Sequence, residues 1–437
     1  MQIVSRGNWS GALGFILASM GSAVGLGNVW RYPYITGQYG GAAFILLYMG
    51  CVLAVGIPLL LAEFLIGRKT HCNPVGAFRT LRPGAPWLAT GWLGVVSAFV
   101  ILSYYAVVGG WVLHYVYLAL IDSFTGRSAE HITALFGGMN GNSGLQIFWL
   151  MIFMLLTVVI VSRGVSRGIE IGNKILMPLL FALLVVLLFY ALQTDGAAKG
   201  IEFLLRPHWQ ELGRTAVLEA LGQALFSLSL GMGTMITYGS YISRQTNLVR
   251  CSFFVAIGDT LVAILAGFVV FPLVFSFGLE ASAGPGLIFQ TLPNAFARLP
   301  GGYWVALAFF SLLSFAALTS SISLLEVACA YFIDEQRWPR KQASWKLGIV
   351  ILLLGIPSAI GETFLGFMDG LATNYLLPLG ALLIAVFTGW ALTHDERRKE
   401  FIADQSSELC YAGWLFLIRF ITPVAVILIF LHQLQLF

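Results

Sequence analysis

The stretch GSAVGLGNVW, Gly21 to Trp30, lies inside a long apolar run near the start of the chain. Glycine is a poor helix former, and a helix in lipid must satisfy every backbone polar group internally. The stretch therefore predicts a membrane-spanning helix that is interrupted near its middle. A Gly21-x-x-x-Gly25 helix-packing motif is the alternative interpretation. Asn28 and Arg31 on the same segment disfavour that alternative, because a packing face does not require a costly cation nearby.

The composition of the whole chain is that of a polytopic, all-α membrane protein. Of 437 residues, 58% are hydrophobic and only 10% are charged, and the mean hydropathy is +0.86. Windows of about 20 apolar residues mark membrane crossings. They predict eleven spans, numbered here in chain order: 11–35, 41–66, 89–121, 146–162, 169–192, 216–242, 252–278, 303–333, 346–360, 369–393 and 413–436.

The distribution of basic residues predicts the orientation of these spans. One set of loops carries 16 Lys and Arg residues and the alternate set carries 5. Because basic residues are enriched on the cytoplasmic side, we expect a cytoplasmic N-terminus and an extracytoplasmic C-terminus. The expected location is the inner (plasma) membrane. No cleaved signal peptide is expected before span one. The five cysteines lie in spans or beside cytoplasmic loops, so no disulfide is expected.

A second unusual stretch, FSLSLGMG at Phe226 to Gly233, interrupts span six in the same way. Breaks in spans one and six correspond if spans one to five and six to ten are two copies of one unit, inverted because five is odd. Paired interrupted helices of this kind indicate a midplane site in secondary transporters. Unwound carbonyl groups suit Na⁺, and the N–H groups of the following half-helix suit an anion. The first repeat is predicted at 1–192 and the second at 216–393, with an extracellular loop at 193–215 between them. A cytoplasmic loop and span eleven follow at 394–437.

Several long motifs in order resemble the neurotransmitter:sodium symporter family, in its bacterial amino-acid transporter branch. The resemblance extends from about Arg6 to span eleven, and Met232 with the pattern Gly168-x9-Pro178 is most similar to transporters of multiple hydrophobic amino acids. The motifs are GSAVGLGNVWRYPY, GGAAFILLY, IPLLLAEFLIGR, GQALFSLSLGMGTMITYGSY, GPGLIFQTLPNAF and ALTSSISLLE. The resemblance implies sodium-coupled transport by two inverted five-helix repeats.

The resemblance also implies two sodium sites built from oxygen donors, as a hard cation requires. The first would use the substrate's own carboxylate together with Ala23, Asn28, Ser227 and Asp259. The second would use carbonyl groups of Gly21, Val24 and Ala316 with hydroxyl groups of Thr319 and Ser320. In this arrangement the amino acid and the first ion complete each other's site.

A substrate site follows from the same resemblance. The carboxylate would meet the N–H groups of Leu26 and Gly27 and the hydroxyl of Tyr105. The ammonium would be held by carbonyl groups of Ala23, Phe226 and Ser227, with the hydroxyl of Ser229 nearby. The side chain would lie among Ile101, Val108, Phe226, Met232, Ser320 and Leu324, for which ordinary helix packing is the alternative. Relatives that carry monoamines have Asp at the position of Gly25, so an amino acid that brings its own carboxylate is favoured here. Because the pocket is apolar and contains an adaptable methionine, the expected substrate is a hydrophobic or aromatic L-amino acid.

Charged residues near the ends of spans are expected to form gates. Arg31 with Asp369 would form the outer gate, above Phe226 and Tyr105. Arg6 with Asp334 would form the inner gate, packed around by Trp9 and Tyr241. Interfacial snorkelling is the alternative for the inner pair.

Two further expectations concern span five and chloride. Gly168 and Pro178 would let span five unwind at its cytoplasmic end and admit water to the second sodium site, although a simple proline kink is the alternative. Chloride-dependent relatives have Asn where this chain has Asp259, and they hold chloride at positions matching Tyr48, Gln223 and Ser227. A carboxylate supplies the missing negative charge, so we expect no chloride requirement and allow for proton antiport on the return step.

The expected partners are an L-amino acid and membrane lipid, with no nucleic acid, for a monomer or homodimer. An enzyme is disfavoured because the six histidines show no metal-binding spacing. A membrane amino-acid sensor or a ligand-gated channel on the same fold is the remaining alternative.

Overall fold

The computed structural model describes residues 7–84, 86–213, 215–278, 286–402 and 408–433. Within these ranges the chain is helical and contains no β-strand, only one isolated bridge between Gly41 and Pro207. Single turns of π-helix interrupt or extend several of the helices. The helices outside the spans are Pro74–Leu81, Ala129–Asn140, Ala197–Leu205, Trp209–Glu211, Leu287–Thr291, Leu292–Arg298 and His394–Ile402.

The membrane-spanning helices of the described ranges agree with the predicted spans. Nine are long and apolar enough to cross a membrane: Ala42–Thr70, Leu88–Leu120, Ser143–Ser162, Val165–Ala191, Leu248–Ser276, Gly302–Gln336, Arg340–Ile360, Glu362–Ala391 and Glu408–His432. Span one is the pair Ala12–Ala23 and Gly27–Gln38, bent by 54°. Span six is divided into Ala216–Ser227 and Thr234–Gly239. The arrangement confirms the all-α membrane fold and is consistent with eleven crossings.

Spans three and eight form the centre of the molecule. In their most apolar windows, 78% of the residues of Leu88–Leu120 and 72% of those of Gly302–Gln336 are buried, against 28% for Val165–Ala191. Spans that are apolar all round but only partly buried present large side chains such as Ile175, Val186 and Phe189 outward. Such a surface is suited to lipid rather than to water.

The two breaks arise from local sequence. In span one the helix ends at Ala23, Val24 turns to an extended conformation, and Asn28 Oδ1 accepts a hydrogen bond from Gly25 N at 2.9 Å. In span six Gly231 and Gly233 have φ of 81° and 74°, a backbone conformation that glycine adopts without steric cost. N–H groups that lie outside a regular helix need other partners at membrane depth.

Glu63 of span two supplies one of these partners. Its side chain is fully buried, and its Oε1 accepts a hydrogen bond from Gly231 N at 2.8 Å. The carboxylate therefore stabilises the unwound turn of span six.

Candidate functional site

The breaks of spans one and six meet at a small cavity of about 30 Å³ in the middle of the molecule. Spans three and eight complete its wall. The lining residues are Ser22, Ala23, Gly25, Leu26, Gly27, Asn28, Ile101, Tyr105, Phe226, Ser227, Ser229, Met232, Ser320 and Leu324. Of the residues predicted to bind substrate, Val108 alone is absent from this list, and it lines the larger cavity described below.

One end of the small cavity is polar. The hydroxyl of Tyr105 accepts a hydrogen bond from Leu26 N at 3.3 Å. A Cβ on Gly25 would lie 2.7 Å from Ser320 Oγ and 3.1 Å from the Tyr105 hydroxyl. The hydroxyl of Ser229 donates to the carbonyl of Ser22 at 2.8 Å. A small zwitterion would therefore meet hydroxyl and backbone groups here.

The predicted side chains of the first sodium site lie together beside this end. Asn28 Nδ2 donates to Asp259 Oδ1 at 2.7 Å and to Ser227 Oγ at 3.0 Å, and Ser227 Oγ donates to Asp259 Oδ2 at 2.6 Å. All three residues are at most 1% exposed. A buried carboxylate held only by neutral groups favours the approach of a cation.

Asn28 differs from its expected role in one respect. Its amide nitrogen, not its oxygen, is directed at Asp259 and Ser227. The oxygen is engaged by Gly25 N. To act as a sodium ligand, the Asn28 amide group must rotate so that Oδ1 faces Asp259 and Ser227 in place of Nδ2.

The predicted residues of the second sodium site also lie together, where span one meets span eight. Ser320 Oγ donates to the carbonyl of Ser22 at 3.2 Å and to that of Val24 at 3.4 Å. Thr319 Oγ1 donates to the carbonyl of Ala316 at 3.0 Å. A Cβ on Gly21 would lie 3.2 Å from Thr319 Cβ. Ion binding by this set stays a prediction.

A larger cavity of about 390 Å³ lies on the Arg31 side of the small one. Leu26, Gly27, Tyr105 and Phe226 line both cavities and separate them. The other lining residues are Trp30, Arg31, Tyr34, Tyr104, Val108, Glu362, Leu365, Gly366 and Asp369. The two cavities are therefore neighbours that share part of their wall.

The expected ion pair between Arg31 and Asp369 is not formed in this structure. Arg31 Nη2 lies 3.4 Å from Glu219 Oε2, and its guanidinium lies 5.8 Å from the centroid of the Phe226 ring. Asp369 lines the same cavity and accepts a hydrogen bond from Thr373. Both charged groups line the cavity without pairing, so closure of this gate stays a prediction. Glu219 is a partner that the sequence reasoning missed.

Away from the Arg31 cavity, Trp9 at the start of span one is hydrogen-bonded to the end of span six. Trp9 N donates to the carbonyl of Tyr241 at 3.3 Å, and its indole Nε1 donates to that of Tyr238 at 3.0 Å. Asp334 accepts hydrogen bonds from the backbone and side chain of Asn73 at 2.9 and 3.0 Å. Arg6 lies outside the described residues, so its pairing with Asp334 stays a prediction.

Span five is a continuous helical segment in this structure. Gly168 lies in the π-helical turn Val165–Glu170, and a Cβ at that position would lie 2.1 Å from the carbonyl oxygen of Ile160. Pro178 lies within the helix Ile171–Ala191. Between them Glu170 accepts a hydrogen bond from Ser10 N at 2.9 Å, which fastens the start of span one to span five.

Comparison with known proteins decides the family. The sequence profile of the Sodium:neurotransmitter symporter family matches residues 6–135 and 129–437. The chain belongs to this family.

Relatives of the symporter family match over nearly the whole length. The chain is 38% identical to the uncharacterized sodium-dependent transporter YhdH of Bacillus subtilis, covering 97% of each chain. It is 35% identical to an uncharacterized sodium-dependent transporter of Haemophilus influenzae, covering 98% of each. The crystal structure of MhsT in complex with L-phenylalanine matches with a TM-score of 0.91 and 45% identity, over 98% of this chain and 99% of that one.

Membership establishes the coarse function. This symporter is a sodium-dependent, multi-pass membrane transporter and not an enzyme. The predicted family, the all-α fold and the use of Na⁺ are thereby confirmed. Ser22, whose carbonyl accepts from both Ser229 and Ser320, was missed. Its position next to Gly21 in the glycine-rich stretch was the available signal.

Proposed function

We propose that this protein is a sodium-coupled symporter that imports hydrophobic or aromatic L-amino acids by alternating access. The observation that carries the proposal is the adjacency of the buried Asn28–Ser227–Asp259 cluster to the polar end of the small cavity. An amino-acid carboxylate at that end would lie within reach of a cation beside Asp259. Ion and substrate would then bind together, which is the basis of coupling.

Two Na⁺ ions are proposed, one at each of the predicted sets. The first would be held by Ala23, Asn28, Ser227, Asp259 and the substrate, and the second by Gly21, Val24, Ala316, Thr319 and Ser320. Two ions entering down about 100 mV and a tenfold gradient supply about 7 kcal/mol, enough for a large amino-acid gradient. No nucleotide hydrolysis is needed.

The substrate class is supported by the chemistry of the cavity wall. Gly25 provides no carboxylate to pair with an amine, so a substrate that brings its own carboxylate is favoured. Ile101, Met232 and Leu324 are buried and apolar, and a methionine adapts to side chains of different shape. The solved relative in complex with L-phenylalanine supports the same class.

Chloride independence is part of the proposal. Asp259 accepts a hydrogen bond from Ser227, and its ionised form would supply a negative charge within the first sodium set. An anion from solution is then unnecessary. The same carboxylate could take up a proton when the ion leaves, which would give proton antiport.

The proposed transport cycle alternates between the two sides of the site. Arg31 and Asp369 would close the outer side, and Arg6 and Asp334 the inner side. The inverted repeats 1–192 and 216–393 would move against each other, in a monomer or homodimer whose N-terminus is cytoplasmic in the plasma membrane.

The test is uptake of radioactive L-phenylalanine by the purified protein in proteoliposomes. We expect accumulation against a gradient only when external Na⁺ exceeds internal Na⁺. A sensor would bind the amino acid without accumulating it, and a channel would only equilibrate it. Binding without accumulation would therefore favour a sensor over a symporter, and equilibration without accumulation would favour a channel.

A further inference from the structure

A buried carboxamide in span five has an oxygen that no described group satisfies. Asn173 is fully buried, and its Nδ2 donates to the carbonyl of Ile169 at 2.8 Å. Its Oδ1 is buried and has no hydrogen-bond partner within the described ranges. Buried polar atoms in folded proteins are almost always partnered, so this oxygen is expected to meet a ligand that the protein itself does not provide.

The oxygen lies against the proposed second sodium set. A Cβ on Gly21 would be 1.9 Å from Asn173 Oδ1 and 3.2 Å from Thr319 Cβ. Gly21 and Thr319 are two of the proposed ligands of the second ion. Span five therefore brings a third element, and a further oxygen, to a place where spans one and eight already meet.

The orientation of the carboxamide is fixed by its nitrogen. Because Nδ2 is held by the carbonyl of Ile169, Oδ1 must face span one. Ile169 and Asn173 both lie between Gly168 and Pro178, the segment expected to unwind. Unwinding would break the bond to Ile169 and free the side chain to turn away from Gly21.

We propose that Asn173 Oδ1 is a sodium ligand at the span-five edge of the second sodium site. A carboxamide oxygen is a ligand that hard cations accept, and it can be withdrawn when its helix unwinds. Ion release would thus be linked to the opening of span five through one side chain. The inference rests on the proposed function, because it assumes an ion at the second site.

Substitutions at Asn173 separate ion binding from helix structure. Asn173→Ala removes the oxygen, and we expect the half-saturating Na⁺ concentration to rise about fivefold, the effect of losing one good polar interaction. Asn173→Asp loses the hydrogen-bond donor to Ile169 but keeps an oxygen at the same place and adds a negative charge. Because that oxygen can still bind the cation, we expect Na⁺ affinity equal to or higher than that of the wild type. Asn294→Ala is the matched control, since Asn294 Nδ2 makes the same 2.8 Å bond to a carbonyl four residues back, outside the site.

Two readouts keep this inference distinct from the proposed function. Radioactive Na⁺ binding to the full-length purified protein tests Asn173, and L-phenylalanine uptake in proteoliposomes tests symport. The inference is overturned if Asn173→Ala stays within about twofold of wild type, or if Asn173→Asp loses Na⁺ affinity as Asn173→Ala does, which would indicate a purely structural role. If the wild-type protein binds Na⁺ but does not accumulate the amino acid, the symport proposal is wrong, while the inference about Asn173 is unaffected.

Discussion

At the scale of single residues, the site depends on a few small or charged groups whose neighbours are distant in sequence. Asp259 contacts Asn28 and Ser227, from spans one and six, and all three residues are buried. Gly25 lies against Ser320 and Tyr105, from spans eight and three. In the proposed function each position contributes one chemical property: the negative charge at Asp259 and the absence of a side chain at Gly25.

Asp259→Asn should make transport depend on chloride. The substitution keeps the size of the side chain but removes the negative charge beside the first sodium set, which an anion must then supply. We expect the variant to lose uptake in chloride-free medium and to regain part of it when chloride is added, while the wild type is indifferent. Asp195→Asn, in an exposed loop, is the control. Loss of wild-type uptake on chloride removal would contradict the proposal.

Gly25→Asp should abolish uptake of L-phenylalanine. A side chain at this position points at Ser320 Oγ and the Tyr105 hydroxyl, where the substrate carboxylate is expected. Two carboxylates in one small cavity repel, so we expect at least about a tenfold loss of uptake. Gly25→Asn has the same size without the charge and should lose less. Equal losses in the two variants would show that crowding, not charge, decides the effect.

At the scale of helices, interruptions and bends accompany the proposed function. The breaks of spans one and six place backbone groups at the cavity, and Glu63 stabilises one of them. Span five differs, because it is intact here yet contains Gly168, Pro178 and the bond from Ser10 to Glu170. In the proposed function, unwinding of this helix between Gly168 and Pro178 would admit water to the second sodium set.

Pro178→Ala should slow sodium release more than it weakens sodium binding. Restoring a backbone donor in the middle of the helix stabilises its continuous form and opposes unwinding. We expect a lower maximal uptake rate with a half-saturating Na⁺ concentration close to that of the wild type. Pro272→Ala is the matched control, since Pro272 also lies inside a long helix. Transport kinetics identical to wild type would remove the role of Pro178.

At the scale of the whole molecule, the two sides of the site are unequal. The Arg31 side has a cavity of about 390 Å³, whereas Trp9 packs against Tyr238 and Tyr241 with ring centroids 5.2 and 5.9 Å apart. Such an asymmetry is what alternating access requires of one of its end states. A channel would need both sides open at once.

Labelling of a cysteine introduced at Gly366 should report closure of the Arg31 side. Gly366 lines that cavity, and a Cβ there meets nothing within 4 Å, so the substitution is tolerated. In a Cys410→Ser background, which removes the exposed native thiol, we expect rapid labelling in Na⁺ and roughly tenfold slower labelling after L-phenylalanine is added, because gate closure excludes the reagent. Gly137→Cys, on an exposed helix away from the cavity, is the control. An unchanged rate at Gly366→Cys would argue against a closing gate.

Much of the fold could be predicted because lipid imposes local rules. A helix must supply its own hydrogen bonds in a membrane, so runs of apolar residues mark the spans and glycine-rich interruptions mark the breaks. In the described part of the chain, nine long helices and the two divided helices of spans one and six lie at the predicted positions, which is consistent with eleven crossings. Most of the candidate substrate residues could also be named, since they lie on the breaks or on motifs of the symporter family.

The sequence by itself determined the class of protein, the positions of the spans and the two stretches that cannot remain helical, because each depends on residues close together in the chain. Only the tertiary structure decided the partners of polar groups. Arg31 meets Glu219, Asn28 directs its nitrogen to Asp259, and the oxygen of Asn173 faces Gly21. These pairs are separated by more than a hundred residues, and hydropathy and local spacing carry no information about which buried donor meets which acceptor.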